Sequence, residues 1–133
     1  MANKVRAGEQ RPGSGGEDCL EATLVLGREG GPVRVTALAS RLGVSKPSVV
    51  SALAGLGAKG LVRHEKYGGV ELTPRGRRLA RETDCRHRLV RTFLSGVLGV
   101  SEPTAELDAC RIEHNLSPET VSRLVAFVRR RRA

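Results

Sequence analysis

Aromatic residues are nearly absent from this chain: Tyr67, Phe93 and Phe127 are the only ones, and tryptophan is missing. A nucleic-acid surface that stacks bases on aromatic rings is therefore not expected, and the core must be built from Leu, Val, Ile and Ala. There is no run of about eighteen apolar residues and no signal-peptide pattern, so no membrane contact is expected and the cytoplasm is the expected location. The three cysteines, Cys19, Cys85 and Cys110, are an odd number without CxxC spacing. That excludes a disulfide framework and a zinc ribbon. Free thiols suit a reducing compartment, and each is expected to be a small buried residue. Acids are outnumbered too: 14 Asp and Glu face 23 Lys and Arg, for a net charge of +9. Such a balance suits a polyanionic partner, although charge alone does not separate DNA from RNA or an anionic membrane.

What is present is best organised between Pro32 and Gly76. A helix over Val35 to Leu42 sets Leu38 and Leu42 on one face and ends at Gly43, a residue free to take positive φ. Ser45 caps a second helix whose first turn holds Pro47. Val49, Leu53 and Leu56 recur at i, i+4, i+7 for burial, while Lys46, Ser48, Ser51, Gly55 and Lys59 form the other face. Leu61 to Glu65 and Val70 to Thr73 flank Lys66-Tyr67-Gly68-Gly69 and predict a hairpin. This is the order of a winged helix-turn-helix, which sets its second helix in the DNA major groove. Lys46, Lys59, Arg63 and Lys66 are expected to contact phosphates of double-stranded DNA. Arg75, Arg77 and Arg78 add further positive charge just beyond the hairpin.

The remaining segments divide the chain into residues 1–16, a disordered basic arm; 17–76, the winged helix-turn-helix; 77–128, a helical region; and 129–133, a basic tail. Glu17 to Arg28 predicts a helix with Leu20, Leu24 and Val25 as its apolar stripe. Asp18 and Glu21 stand at i, i+3 on it and project from one face. Thr73-Pro74 opens a long helix to about Leu98, with Leu79, Leu89, Phe93 and Val97 as its expected buried side and His87 in its middle. Ser101 starts a helix over Thr104 to Leu116, and Ser117-Pro118 starts the last one.

Cys110, Glu113 and His114 occupy i, i+3 and i+4 on one expected helix. A thiol, a carboxylate and an imidazole on a single face are metal-ligand types at a spacing from which one ion can be reached. No glycine-rich nucleophile turn or oxyanion donor accompanies Cys110 and His114, so the chain does not read as an enzyme.

D-C-L-E at 18–21, R-V-T-A-L-A-S-R-L-G-V-S-K-P-S-V in the helix-turn-helix, Y-G-G-V-E-L-T-P-R-G in the wing, R-H-R-L at 86–89, C-R-I-E-H at 110–114 and the following E-H-N-L-S-P-E occur in one order. Together they resemble the diphtheria toxin repressor family, the iron- and manganese-dependent transcriptional repressors, from Asp18 to Val128. The resemblance implies a mainly α fold, with the winged helix-turn-helix followed by a helical metal-binding and dimerisation region. It implies that Asp18, Glu21, His87, Cys110, Glu113 and His114 are metal ligands, with Glu106 as an ancillary candidate. Cys110 sits where iron-type members carry cysteine and manganese-type members glutamate. Arg91 replaces an acid one turn after His87, which departs from the iron-type ancillary site. Ser45, Pro47, Ser48 and Ser51 match positions that approach bases.

The expected function is a metal-dependent repressor acting as a homodimer on a palindromic operator, in metal homeostasis. Hard oxygen ligands suit Mn(II), and imidazole with thiolate favours Fe(II), at one or two ions per subunit; the donor set also admits Zn(II) or Co(II) in vitro. The short chain resembles the manganese-type regulators in ending without an SH3-like domain. The alternative is a winged-helix regulator that senses redox state through its cysteines, independent of metal.

Overall fold

Helix α1 (Ser14–Gly27) buries Cys19, Leu20, Ala22 and Leu24, a stripe that gives it one apolar side to pack. The computed structural model describes residues 13–28, 30–65 and 68–132, apart from the side chains of Ser14 and Arg132. Most of the arm expected over residues 1–16 lies outside these, as do Lys66 and Tyr67 at the tip of the wing. The helix begins at Ser14, earlier than the expected start at Glu17.

Helix α2 (Val35–Leu42) has the bounds that the sequence predicts. It ends at Gly43, whose φ of 68° lets its N–H and that of Val44 turn back onto the carbonyls of Ser40 and Ala39. Helix α3 (Lys46–Ala58) starts where Ser45 Oγ accepts the Ser48 N–H at 3.2 Å, with Pro47 in the first turn. Its buried side is Val49, Leu53 and Leu56. Strands β1 (Val62–His64) and β2 (Val70–Leu72) pair antiparallel, with Val62 opposite Leu72 and Arg63 opposite Glu71. A bridge from Val33 to Val70 extends this small sheet by one residue before α2. Leu38, Leu53, Leu61, Val70, Leu79 and Ala80 join the α1 stripe in one core. At about 25 cal/mol per Å² of apolar surface, such a core of Leu and Val needs no aromatic ring to hold a domain of this size.

Two compact units divide the described chain, residues 13–82 and 83–132, and the boundary falls within α4 (Pro74–Thr92). The second unit continues from α4 into a π-helical turn, Phe93–Val97, then α5 (Glu102–Ile112), a 3-10 turn Glu113–Asn115, and α6 (Pro118–Arg132). Val90, Ala105, Ala109 and Val128 are its buried apolar residues, and Phe93 meets Phe127 edge to face at 6.0 Å.

Three expectations are corrected. The buried side of α4 is Leu79, Ala80, Thr83, Asp84, His87 and Val90. Leu89, Phe93 and Val97 are only half-buried, because they lie off that stripe or beyond the widened turn. The helix expected from Thr104 to Leu116 ends at Ile112: Asn115 Nδ2 donates to the Arg111 carbonyl at 3.0 Å, and Leu116 is extended. Finally, Cys19 is buried but Cys85 and Cys110 are exposed.

Candidate metal centre

In the unit of residues 83–132, three elements bring side chains onto one imidazole. His87 comes from α4, Glu106 and Cys110 from successive turns of α5, and Glu113 from the 3-10 turn. That turn is fastened by Arg86, whose Nε donates to the Glu113 carbonyl at 3.1 Å. His87 Nδ1 lies 2.7 Å from Glu113 Oε2, and its Nε2 lies 2.5 Å from Glu106 Oε2. Cys110 Sγ stands 3.8 Å from His87 Nδ1 and 3.9 Å from Glu106 Oε2. Ligand atoms of His87, Glu106 and Cys110 all fall within 4.8 Å of one another.

Glu113 is the deepest of these groups, at 1 % exposure. One of its oxygens faces His87, while Oε1 is buried and accepts no hydrogen bond. His114 Nε2 is 3.3 Å from Oε1 but is not aligned to donate to it. A buried carboxylate oxygen left without a donor costs about 1–3 kcal/mol, more when charged. A divalent cation would satisfy it, and the surrounding imidazole, carboxylate and thiol donors are ligand types for such an ion. These residues therefore fit a metal.

Of the residues singled out in the sequence, the structure gathers His87, Glu106, Cys110, Glu113 and His114. Cys110 and the Glu113–His114 pair do not share one helix, because α5 stops between them. Asp18 and Glu21 belong to the other unit, where both are half-buried and one turn apart on α1. Two features had no signal in the sequence: the Arg86 clamp, and an ion pair of Arg91 Nη1 with Glu106 Oε1 at 3.2 Å. Each joins residues far apart in the chain.

On the DNA-binding side, Ser45, Lys46, Pro47, Ser48 and Ser51 are exposed at the start of α3, and Arg63 is exposed on β1. Lys59 is half-buried at the end of α3, its carbonyl accepting from Arg75 Nη1 at 3.4 Å. Lys66 lies outside the described residues. No helix among the described residues is long and apolar enough to cross a membrane.

Known proteins carry the same two-part layout. Residues 14–70 match the family model of the iron dependent repressor N-terminal DNA binding domain. Residues 73–132 match that of the iron dependent repressor metal binding and dimerisation domain. The transcriptional regulator MntR of Salmonella typhimurium is 41 % identical over 111 residues, 84 % of this chain and 70 % of that protein. A manganese-dependent transcriptional repressor solved in complex with manganese superposes with a TM-score of 0.78 at 32 % identity. It is matched over 85 % of this chain and 52 % of its own length. The manganese regulator SloR gives 0.79 at 28 % identity, over 90 % of this chain and 55 % of its own. The chain thus spans about half the length of these solved structures. With a DNA-binding half and a metal-binding, dimerising half in sequence, the chain belongs to the iron-dependent repressor family, and is a transcriptional regulator rather than an enzyme.

Proposed function

We propose that this protein is a repressor that binds a palindromic operator as a homodimer when Mn(II) or Fe(II) is bound, and so controls metal homeostasis in the cytoplasm. The observation that carries the reading is Glu113: a buried carboxylate beside two imidazoles, with one oxygen that no hydrogen bond reaches. His87, Cys110, Glu113 and His114 are the proposed ligands of the second unit. Asp18 and Glu21 are proposed to complete the set, on the strength of the family resemblance and their placement one turn apart on α1.

When bound, the ion would supply positive charge to its carboxylate and thiol ligands. Without it, the carboxylates repel one another, so the arrangement that presents α3 to DNA is less populated. Ser45, Pro47, Ser48 and Ser51 are proposed to approach the bases. Their short side chains carry little hydrogen-bond information, so phosphate contacts from Lys46, Lys59, Arg63 and Lys66 and the shape of the groove share the recognition. Leu98 and Leu107, 59 % and 61 % exposed, and Phe127 leave apolar surface on the second unit that suits a homodimer. The cysteine-sensing alternative is not favoured, since both halves of the chain match metal-dependent repressor domains and Cys110 sits among metal-ligand types, although Cys85 and Cys110 are exposed.

The test is fluorescence anisotropy on an operator selected from randomised palindromes, first with chelator and then with Mn(II) or, anaerobically, Fe(II). Metal should tighten binding at least tenfold, and Glu113→Ala or His114→Ala should abolish that gain. Equal binding with chelator and with either metal would remove the metal mechanism.

A further inference from the structure

We infer that Arg91 acts as a built-in cation beside the metal centre, and that it limits each subunit to a single divalent ion. This deepens the reading above and rests on it. Glu106 is the only carboxylate in the second unit's cluster with both oxygens engaged by side chains carried on α4. Its Oε2 meets His87 Nε2 at 2.5 Å, and its Oε1 meets Arg91 Nη1 at 3.2 Å. Arg91 follows His87 by four residues, so one turn of α4 sets the imidazole and the guanidinium side by side along α5.

The consequence lies in the charge. His87, Glu106 and Cys110 have ligand atoms within 4.8 Å of one another, a set able to receive a second ion that would share His87 and Cys110 with the one beside Glu113 Oε1. A guanidinium cannot lose its proton in a protein. It already neutralises Glu106, and it would repel a divalent ion arriving at that carboxylate. The set is thereby filled electrostatically, and Glu106 is left as a positioning residue that holds the His87 ring. The Arg91 and Glu106 side chains are 39 % and 48 % exposed. Such a pair adds little to folding, so its presence is better explained by what it does to the site.

The experiment counts ions on the full chain. Protein stripped with chelator is equilibrated with Mn(II) by dialysis, and bound manganese per subunit is read by atomic emission. Electron paramagnetic resonance then separates an isolated Mn(II) from a spin-coupled pair. The native chain should hold one ion with the six-line signal of an isolated centre. Arg91→Glu should hold two, with an exchange-coupled spectrum, and Arg91→Gln should gain a second ion at higher Mn(II). Arg91→Lys should stay at one. Circular dichroism melting should leave the variants close to the native chain, which separates a change of site from a loss of fold. Two ions on the native chain would overturn the inference and leave the metal reading standing, as would one ion on both Arg91→Glu and Arg91→Gln. No manganese on the native chain would overturn both.

Discussion

The three thiols differ in chemistry because their surroundings differ. Cys19 is fully buried on α1, and burial pushes its thiol above the ordinary value, aided by the nearby Asp18 charge and only partly offset by a hydrogen bond with Thr23. Thiolate is the reactive form, so Cys19 should be slow on two counts, access and ionisation. Cys85 and Cys110 are exposed. In native protein at pH 8, Ellman's reagent should titrate two thiols quickly and the third only on unfolding. If Cys110 is a metal ligand, Mn(II) should slow its reaction at least tenfold in a Cys85→Ser variant. Three thiols reacting at one rate would mean that α1 opens readily. A Cys110 rate indifferent to Mn(II) would remove it from the ligand set.

At the scale of elements, the junction between wing and α4 leaves no room for a side chain at Gly76. Thr73 Oγ1 accepts the Gly76 N–H at 3.1 Å and donates to the Gly60 carbonyl at 2.7 Å, capping α4 while tying it to the turn before β1. A methyl group on Gly76 would stand 1.9 Å from the Leu61 carbonyl oxygen, which already receives the Thr73 N–H at 3.0 Å. Backbone is in the way, so no rotamer change relieves it. Gly76→Ala should destabilise the chain by about 3 kcal/mol in urea melts, the upper part of the range for overpacking; a loss under 0.5 kcal/mol would show that the junction yields. The elements that were legible in the sequence are those fixed by local chemistry: α2 by Gly43, α3 by Ser45 and Pro47. The buried stripe of α4 was not, because it passes through Thr83, Asp84 and His87, whose polarity hides the helical period. The end of α5 depends on one asparagine reaching back to a carbonyl. Likewise, the residue types of the centre were legible, but their division around His87 was not, since Glu106 meets it only once α4 and α5 are packed.

For the whole molecule, a charge of +9 on 133 residues predicts DNA binding that weakens steeply with salt. Each phosphate contact contributes about 0.9 to the slope of log K against log salt on duplex DNA. Lys46 at the start of α3 and Arg63 on β1 are exposed and separate, so each is proposed to hold its own phosphate. In a homodimer on a palindrome every contact occurs twice. Lys46→Ala or Arg63→Ala should therefore lower the slope by about 1.8 per bound dimer, twice the value for a monomer on a half-site. Measured with Mn(II) between 50 and 300 mM salt (on the order of the range where such slopes are linear), this distinguishes three cases. A drop near 1.8 supports the phosphate contact and the dimer together. A drop near 0.9 keeps the contact but makes the bound species a monomer, while an unchanged slope removes that residue from the interface. Because the slope counts charges and not bases, the result should be the same on any operator sequence the protein accepts.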